Sequence, residues 1–83
     1  MWFVIAEYLG TLVLIGVIAR IGNPLAIGAA LTAAILAVGK YSGGHFNPAV
    51  TFWALLKKKI SPQRAGLHVV AQLAAALTVW QFT

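Results

Sequence analysis

Apolar residues run almost unbroken from Trp2 to Ala19, interrupted by Glu7 and Thr11, and the run closes at Arg20-Ile21-Gly22. A helix over about 2–20 is long enough at 1.5 Å per residue to cross a hydrocarbon layer of roughly 30 Å. Gly22 can take the left-handed conformation that closes a helix, and Asn23-Pro24 opens the next, so a tight antiparallel hairpin is expected. The second helix is predicted over about 24–39. Ala26, Ala30, Ala33 or Ala34, and Ala37 recur at three- and four-residue spacing on it, a stripe that permits close helix approach where lipid supplies no hydrophobic drive.

Each of the three prolines follows a capping residue: Asn23-Pro24, Asn47-Pro48 and Ser61-Pro62. A cap oxygen accepts an orphan amide proton, and proline at the first helical position has no amide to leave unpaired, so three helix starts are marked. Between the second and third marks, Gly39, Gly43 and Gly44 lower helix propensity and Ser42 favours a turn. The helix that begins at Asn47-Pro48 reaches only to about Lys58, roughly 16 Å, or half the hydrocarbon thickness. A re-entrant element over about 40–58 is therefore expected, with its lysines at the water interface and its start near the bilayer centre. Non-helical backbone at that depth is tolerated where it is buried in protein or lines a wet cavity, so residues 42–46 are expected to line one. The last helix is predicted over about 62–81, with Trp80 as an interfacial anchor.

Composition places these elements in lipid. The 83 residues are 61% hydrophobic and 8% charged, too apolar for a small soluble domain, which cannot hide so much greasy surface. The expected architecture is an all-α membrane protein, one unit over 1–83 with three transmembrane helices and one re-entrant half-helix. The first run has no basic stretch before it and carries Glu7 inside, so it reads as a retained span rather than a cleaved signal.

The net charge of +5 comes from Arg20, Lys40, Lys57, Lys58, Lys59 and Arg64 against Glu7. These cations sit at the margins of apolar runs, which is the signature of membrane topology and excludes a nucleic-acid surface. Five of them share one side in this layout and Arg20 lies on the other, so a cytoplasmic N-terminus is expected. Cysteine is absent, which removes disulfides, thiolate nucleophiles and thiolate metal sites. Two histidines, with no carboxylate expected near either, do not suggest hydrolytic or metal chemistry, and no enzyme, metal or cofactor is expected.

The segment Ser42-Gly43-Gly44-His45-Phe46-Asn47-Pro48-Ala49-Val50-Thr51 resembles the first signature loop of the aquaporin, or major intrinsic protein, family. Glu7-Tyr8-Leu9-Gly10-Thr11 and Ala71-Gln72 extend the resemblance over nearly the whole chain. It covers half of that family's fold, the first of two inverted repeats; the second repeat, with its own Asn-Pro-Ala and selectivity arginine, has no counterpart here.

The resemblance implies a pore in which Asn47, Pro48 and Ala49 meet the permeant at mid-membrane and the carbonyls of Gly43, Gly44 and His45 form an acceptor ladder. A helix start carries about half a positive charge, which in a poorly screened pore disfavours cations and opposes proton hopping. By the same resemblance Glu7 braces the loop by accepting backbone amides, Thr11 lies one turn further along its face, and Gln72 supports the loop from the last helix. Ile27 falls at a filter position where strict water channels carry an aromatic ring, which implies broader solute passage.

Arg64, His68 and Gln72 repeat every four residues and predict a polar face on the last helix that avoids lipid, with His68 internally bonded or interfacial. The implied function is half of a passive channel for water or small neutral solutes, completed by a second aquaporin-like half. The alternatives are a non-transporting subunit packed among other membrane subunits, or a fragment of a full-length aquaporin, which the stop at Thr83 just after a span would suit.

Overall fold

The computed structural model describes residues 1–83 and contains four helices: α1 (Trp2–Arg20), α2 (Pro24–Ser42), α3 (Pro48–Leu56) and α4 (Pro62–Gln81). α2, α3 and α4 each begin at a proline. The side-chain oxygens of Asn23, Asn47 and Ser61 accept the amides of Ala26, Ala49 and Arg64 at 2.8, 2.8 and 3.1 Å. α1 packs against both α2 and α4, and α3 lies against α4. The bundle is 35 Å long, close to the thickness of a hydrocarbon layer. α1 and α2 are long and apolar enough to cross a membrane. α4 matches them with 20 residues but carries the polar row Arg64, His68 and Gln72.

The two ends of the bundle are fixed by arginines. The Arg64 guanidinium stands 4.4 Å over the Phe3 ring and donates to the Tyr41 carbonyl at 3.3 Å, which gathers the start of α1, the end of α2 and the start of α4. At the opposite end Arg20 donates to the Phe82 carbonyl at 2.8 Å, tying the end of α1 to the end of α4.

Burial is inverted relative to a water-soluble protein. Sixteen of 83 residues are buried, and six of them are the polar or charged Glu7, Thr11, Ser42, Thr51, His68 and Gln72. Trp2, Leu25, Leu36 and Trp80 meanwhile stand 71–85% exposed. The rest of the core is mostly alanine (Ala6, Ala30, Ala34, Ala54, Ala65, Ala71 and Ala75), and small side chains let backbones approach closely.

Three local expectations are corrected. α2 continues through Gly39 to Ser42 instead of stopping at Gly39, because the residue that leaves helical geometry is Gly43, at φ 92° with its N–H on the Gly39 carbonyl at 2.6 Å. An interior glycine weakens a helix by about 1 kcal/mol but does not end it; a left-handed residue does. The alanine stripe is narrower than its sequence spacing implies: Ala26, Ala30 and Ala34 face inward, and the row continues at Val38, while Ala33 and Ala37 point outward. α3 ends at Leu56, roughly 14 Å from its start, and Lys57–Lys59 form the turn into α4.

Candidate functional site

The segment from Gly43 to Asn47 is the part of the chain that hydrogen bonding within helices cannot account for. Gly43, Gly44 and Phe46 all have positive φ (92°, 68° and 54°), a path that only glycine takes freely and that costs Phe46 local strain. The strain is held by one carboxylate. Glu7, fully buried on α1, accepts from the Ser42 hydroxyl (2.6 Å) and the His45 amide (3.1 Å) on one oxygen. Its other oxygen accepts from the Phe46 amide (2.8 Å) and the Gln72 side chain (2.9 Å). Four donors convergent on a buried anion replace the water it lost, which is what makes an unpaired charge tolerable there.

The helices bring the other parts of the brace to the same place. Gln72 donates a second bond to the Thr51 hydroxyl at 2.9 Å, which links α4 to α3. Thr51 in turn lies 2.9 Å from His45 Nδ1. Thr51 can give its hydroxyl hydrogen to Nδ1 or accept an N–H from it, according to the tautomer of His45. Phe46 is seated against α1 at Gly10, where a Cβ would fall inside the phenyl ring. His68, fully buried, reaches the Ser42 carbonyl with Nε2 at 2.9 Å and the Arg64 carbonyl with Nδ1 at 3.0 Å, joining α4 to the end of α2.

The permeant-side candidates are arranged differently. Asn47, Pro48 and Ala49 are exposed, Gly44 and His45 are half-buried, and Gly43 is exposed. The Asn47 carbonyl oxygen is engaged in capping α3, so the side-chain NH2 is the group left to face outward. The carbonyls of Gly43, Gly44 and His45 accept no hydrogen bond from within the chain. Gly43, Gly44 and His45 line a cavity of about 450 Å³ whose other walls include Val50, Trp53, Lys59 and Arg64. Ile27 lies half-buried in the first turns of α2, at the end of the bundle away from this cavity.

Three points depart from the reading of the sequence. Thr11 is buried but its hydroxyl bonds no group of the loop; Glu7 reaches the loop directly, and Thr11 lies a turn deeper along α1. The histidines do have a carboxylate beside them: the ligand atoms of Glu7, His45 and His68 lie within 4.8 Å of one another, because folding brings α1, the loop and α4 together. That cluster is a hydrogen-bonded brace and not a ready cation site. Both Glu7 oxygens hold donors, both His68 ring nitrogens lie against backbone carbonyls, of which a neutral ring can serve one as donor, and His45 Nδ1 is engaged by Thr51. Finally, Ser42, Phe46, Thr51 and Gly10 are structural partners that the motif contains without naming their roles; the spacing of Gly10, three residues after Glu7 on one helix face, was the available signal.

The model of the major intrinsic protein family matches residues 2–82. Among curated proteins, the chain is 39% identical over 82 residues to glycerol uptake facilitator protein-like 6 of Lactiplantibacillus plantarum, covering 88% of this chain and 38% of that protein. It is 38% identical over 86 residues to the lens fiber major intrinsic protein of Gallus gallus, covering 89% and 33% respectively. The same identity and length relate it to aquaporin-5 of Sus scrofa, with 89% and 32% covered. The chain thus spans 32–38% of the length of these relatives, in a stretch that holds one brace and one half-length helix. No solved structure matches. With two apolar helices of crossing length, a polar core and a family match over nearly its whole length, the chain belongs to the major intrinsic protein family of integral membrane channels.

Proposed function

We propose that this chain forms one wall of a passive pathway for water and small neutral solutes, with Asn47 at mid-membrane and further protein closing the opposite side. The observation that carries this reading is the row of unpaired carbonyls at Gly43, Gly44 and His45 leading to the outward NH2 of Asn47. A permeating water that leaves bulk solvent needs acceptors for its protons and then a donor for its oxygen, and this row offers them in that order. Pro48 and Ala49 follow in the first turn of α3, whose positive end points into the pathway and repels cations.

α4 supplies the third crossing in this reading, with its polar row turned onto the brace. The end that carries Lys40, Lys57, Lys58, Lys59 and Arg64 is the cytoplasmic one, and the N-terminus lies with it. Ile27, at the other mouth, is aliphatic where a ring would narrow the passage, so small polyols such as glycerol are admitted along with water. The exposed apolar faces of α1 and α2 meet lipid or a second aquaporin-like half.

The test uses the absence of cysteine. Val50 is 40% exposed and lines the same cavity, so Val50→Cys places one thiol of this chain beside the pathway. In vesicles from membranes that express the chain with its natural neighbours, a small water-soluble thiol reagent is expected to slow osmotic water and glycerol flux only when Val50→Cys is present. A thiol that is fully labelled with no change in either flux would leave the chain as a packing subunit and remove the channel reading.

A further inference from the structure

We infer that the groove between the first turns of α1 and the last turns of α2 seats one anionic phospholipid, its acyl chain in the groove and its phosphate at Lys40. The groove measures about 370 Å³ and its walls are Trp2, Ile5, Ala6, Leu9, Val38 and Tyr41. No wall residue carries a charge, and Trp2, Leu9 and Tyr41 are 72%, 44% and 47% exposed, so the groove is an open apolar trough. Trp2 and Tyr41 mark its rim with the residue types that settle at headgroup depth. Beside that rim the Lys40 ammonium lies 5.1 Å from the centre of the ring of Tyr41, a wall residue of the trough.

Charge decides the occupant. The chain has six lysines and arginines and a single acid, and that acid, Glu7, is fully buried and engaged by the loop. Its surface therefore offers Lys40 no acidic side chain. Arg64 bonds the Tyr41 carbonyl at the same end, and Lys57–Lys59 precede it in the turn from α3, so the field at the rim is positive throughout. A zwitterionic headgroup brings its own cation into that field, whereas an anionic one brings only the phosphate. A protein helix would have to carry an acidic side chain to this depth to match Lys40, which is costly in lipid. The inference requires that α1 and α2 cross the bilayer and is independent of whether anything permeates.

Trp2 reports on the groove once the other two tryptophans, both at least half exposed, are changed by Trp53→Phe and Trp80→Phe. The full chain is placed in phosphatidylcholine vesicles that contain an equal small fraction of either phosphatidylglycerol or phosphatidylcholine with brominated acyl chains. Brominated phosphatidylglycerol is expected to quench Trp2 with roughly fivefold higher apparent affinity, the factor that one basic residue is worth at an anionic leaflet. Lys40→Gln should bring the ratio to one, Lys40→Arg should keep it, and Lys58→Gln should change it less than twofold. Equal quenching by the two lipids, a preference that survives Lys40→Gln, or one that Lys58→Gln removes equally well would overturn the inference. So would the absence of quenching by either lipid, which would mean that protein covers the groove.

Discussion

The Phe46 amide donates to Glu7 Oε1 at 2.8 Å across 39 residues of chain, and the Phe46 ring sits against Gly10, one turn along the same helix from that carboxylate. A backbone bond and a side-chain contact from one residue thus dock the loop on α1 at two adjacent points. Everything between Gly43 and Asn47 is positioned by that docking, since the loop's own conformation, with positive φ at Gly43, Gly44 and Phe46, is not one that it would hold unaided.

Replacing Glu7 by Gln tests the anion in the brace. A neutral amide can accept at one oxygen only, and its NH2 would face donors from Ser42 and His45 or from Phe46 and Gln72. At least two charge-assisted bonds are lost, each worth about 1.5–3 kcal/mol. Glu7→Gln is expected to lower stability by about 3 kcal/mol or more in reversible unfolding from detergent micelles, with helix content of α1 retained. A loss below about 1 kcal/mol would show that the loop is held elsewhere.

Gly10→Ala tests the contact beside it. The added methyl lands on the Phe46 ring, so the ring or the helix must shift, and overpacking of this kind costs about 1–3 kcal/mol. The two residues form a pair whose effects are not additive: in the background of Phe46→Ala, Gly10→Ala is expected to cost less than about 0.5 kcal/mol. A double-mutant cycle in the same unfolding assay measures the coupling.

Legibility of this arrangement in the sequence varies with how local each feature is. The three proline-marked helix starts and the half-length of α3 follow from neighbours in the chain, and the caps at Asn23, Asn47 and Ser61 have the bonding that such starts require. The end of α2 was harder to place because Gly39 and Gly43 are both glycines, and only the backbone path distinguishes a tolerated interior glycine from a left-handed stop. The partners of the brace were the least legible. Ser42 to Glu7, His68 to the Ser42 carbonyl and Gln72 to Thr51 are 35, 26 and 21 residues apart, and periodicity gives the face of a residue but not what meets that face. Periodicity did assign Arg64, His68 and Gln72 to one row, and His68 and Gln72 are fully buried in the bundle.

Asn47→Asp separates capping from permeation. An aspartate oxygen can still accept the Ala49 amide, and a negative charge suits a helix start, so stability is expected to change by less than about 0.5 kcal/mol. The outward NH2 is lost and replaced by an anion. In flux measurements on the membranes described above, water and glycerol movement should fall severalfold. Asn47→Ala, by contrast, should cost about 1 kcal/mol of stability through loss of the cap. Unchanged flux in Asn47→Asp would place the pathway away from α3.

The depth of the α3 start decides most directly whether the loop turns back inside the membrane. Ala49 is exposed at the first turn of α3 and the chain has no native thiol, so Ala49→Cys carries a single spin label there in reconstituted bilayers. The label is expected about 15 Å below the hydrocarbon edge, near the bilayer centre, and still within reach of a small water-soluble nickel complex. A label found in bulk water at the membrane surface, or at mid-depth but reached by oxygen alone, would contradict a half-helix whose tip opens into a wet crevice.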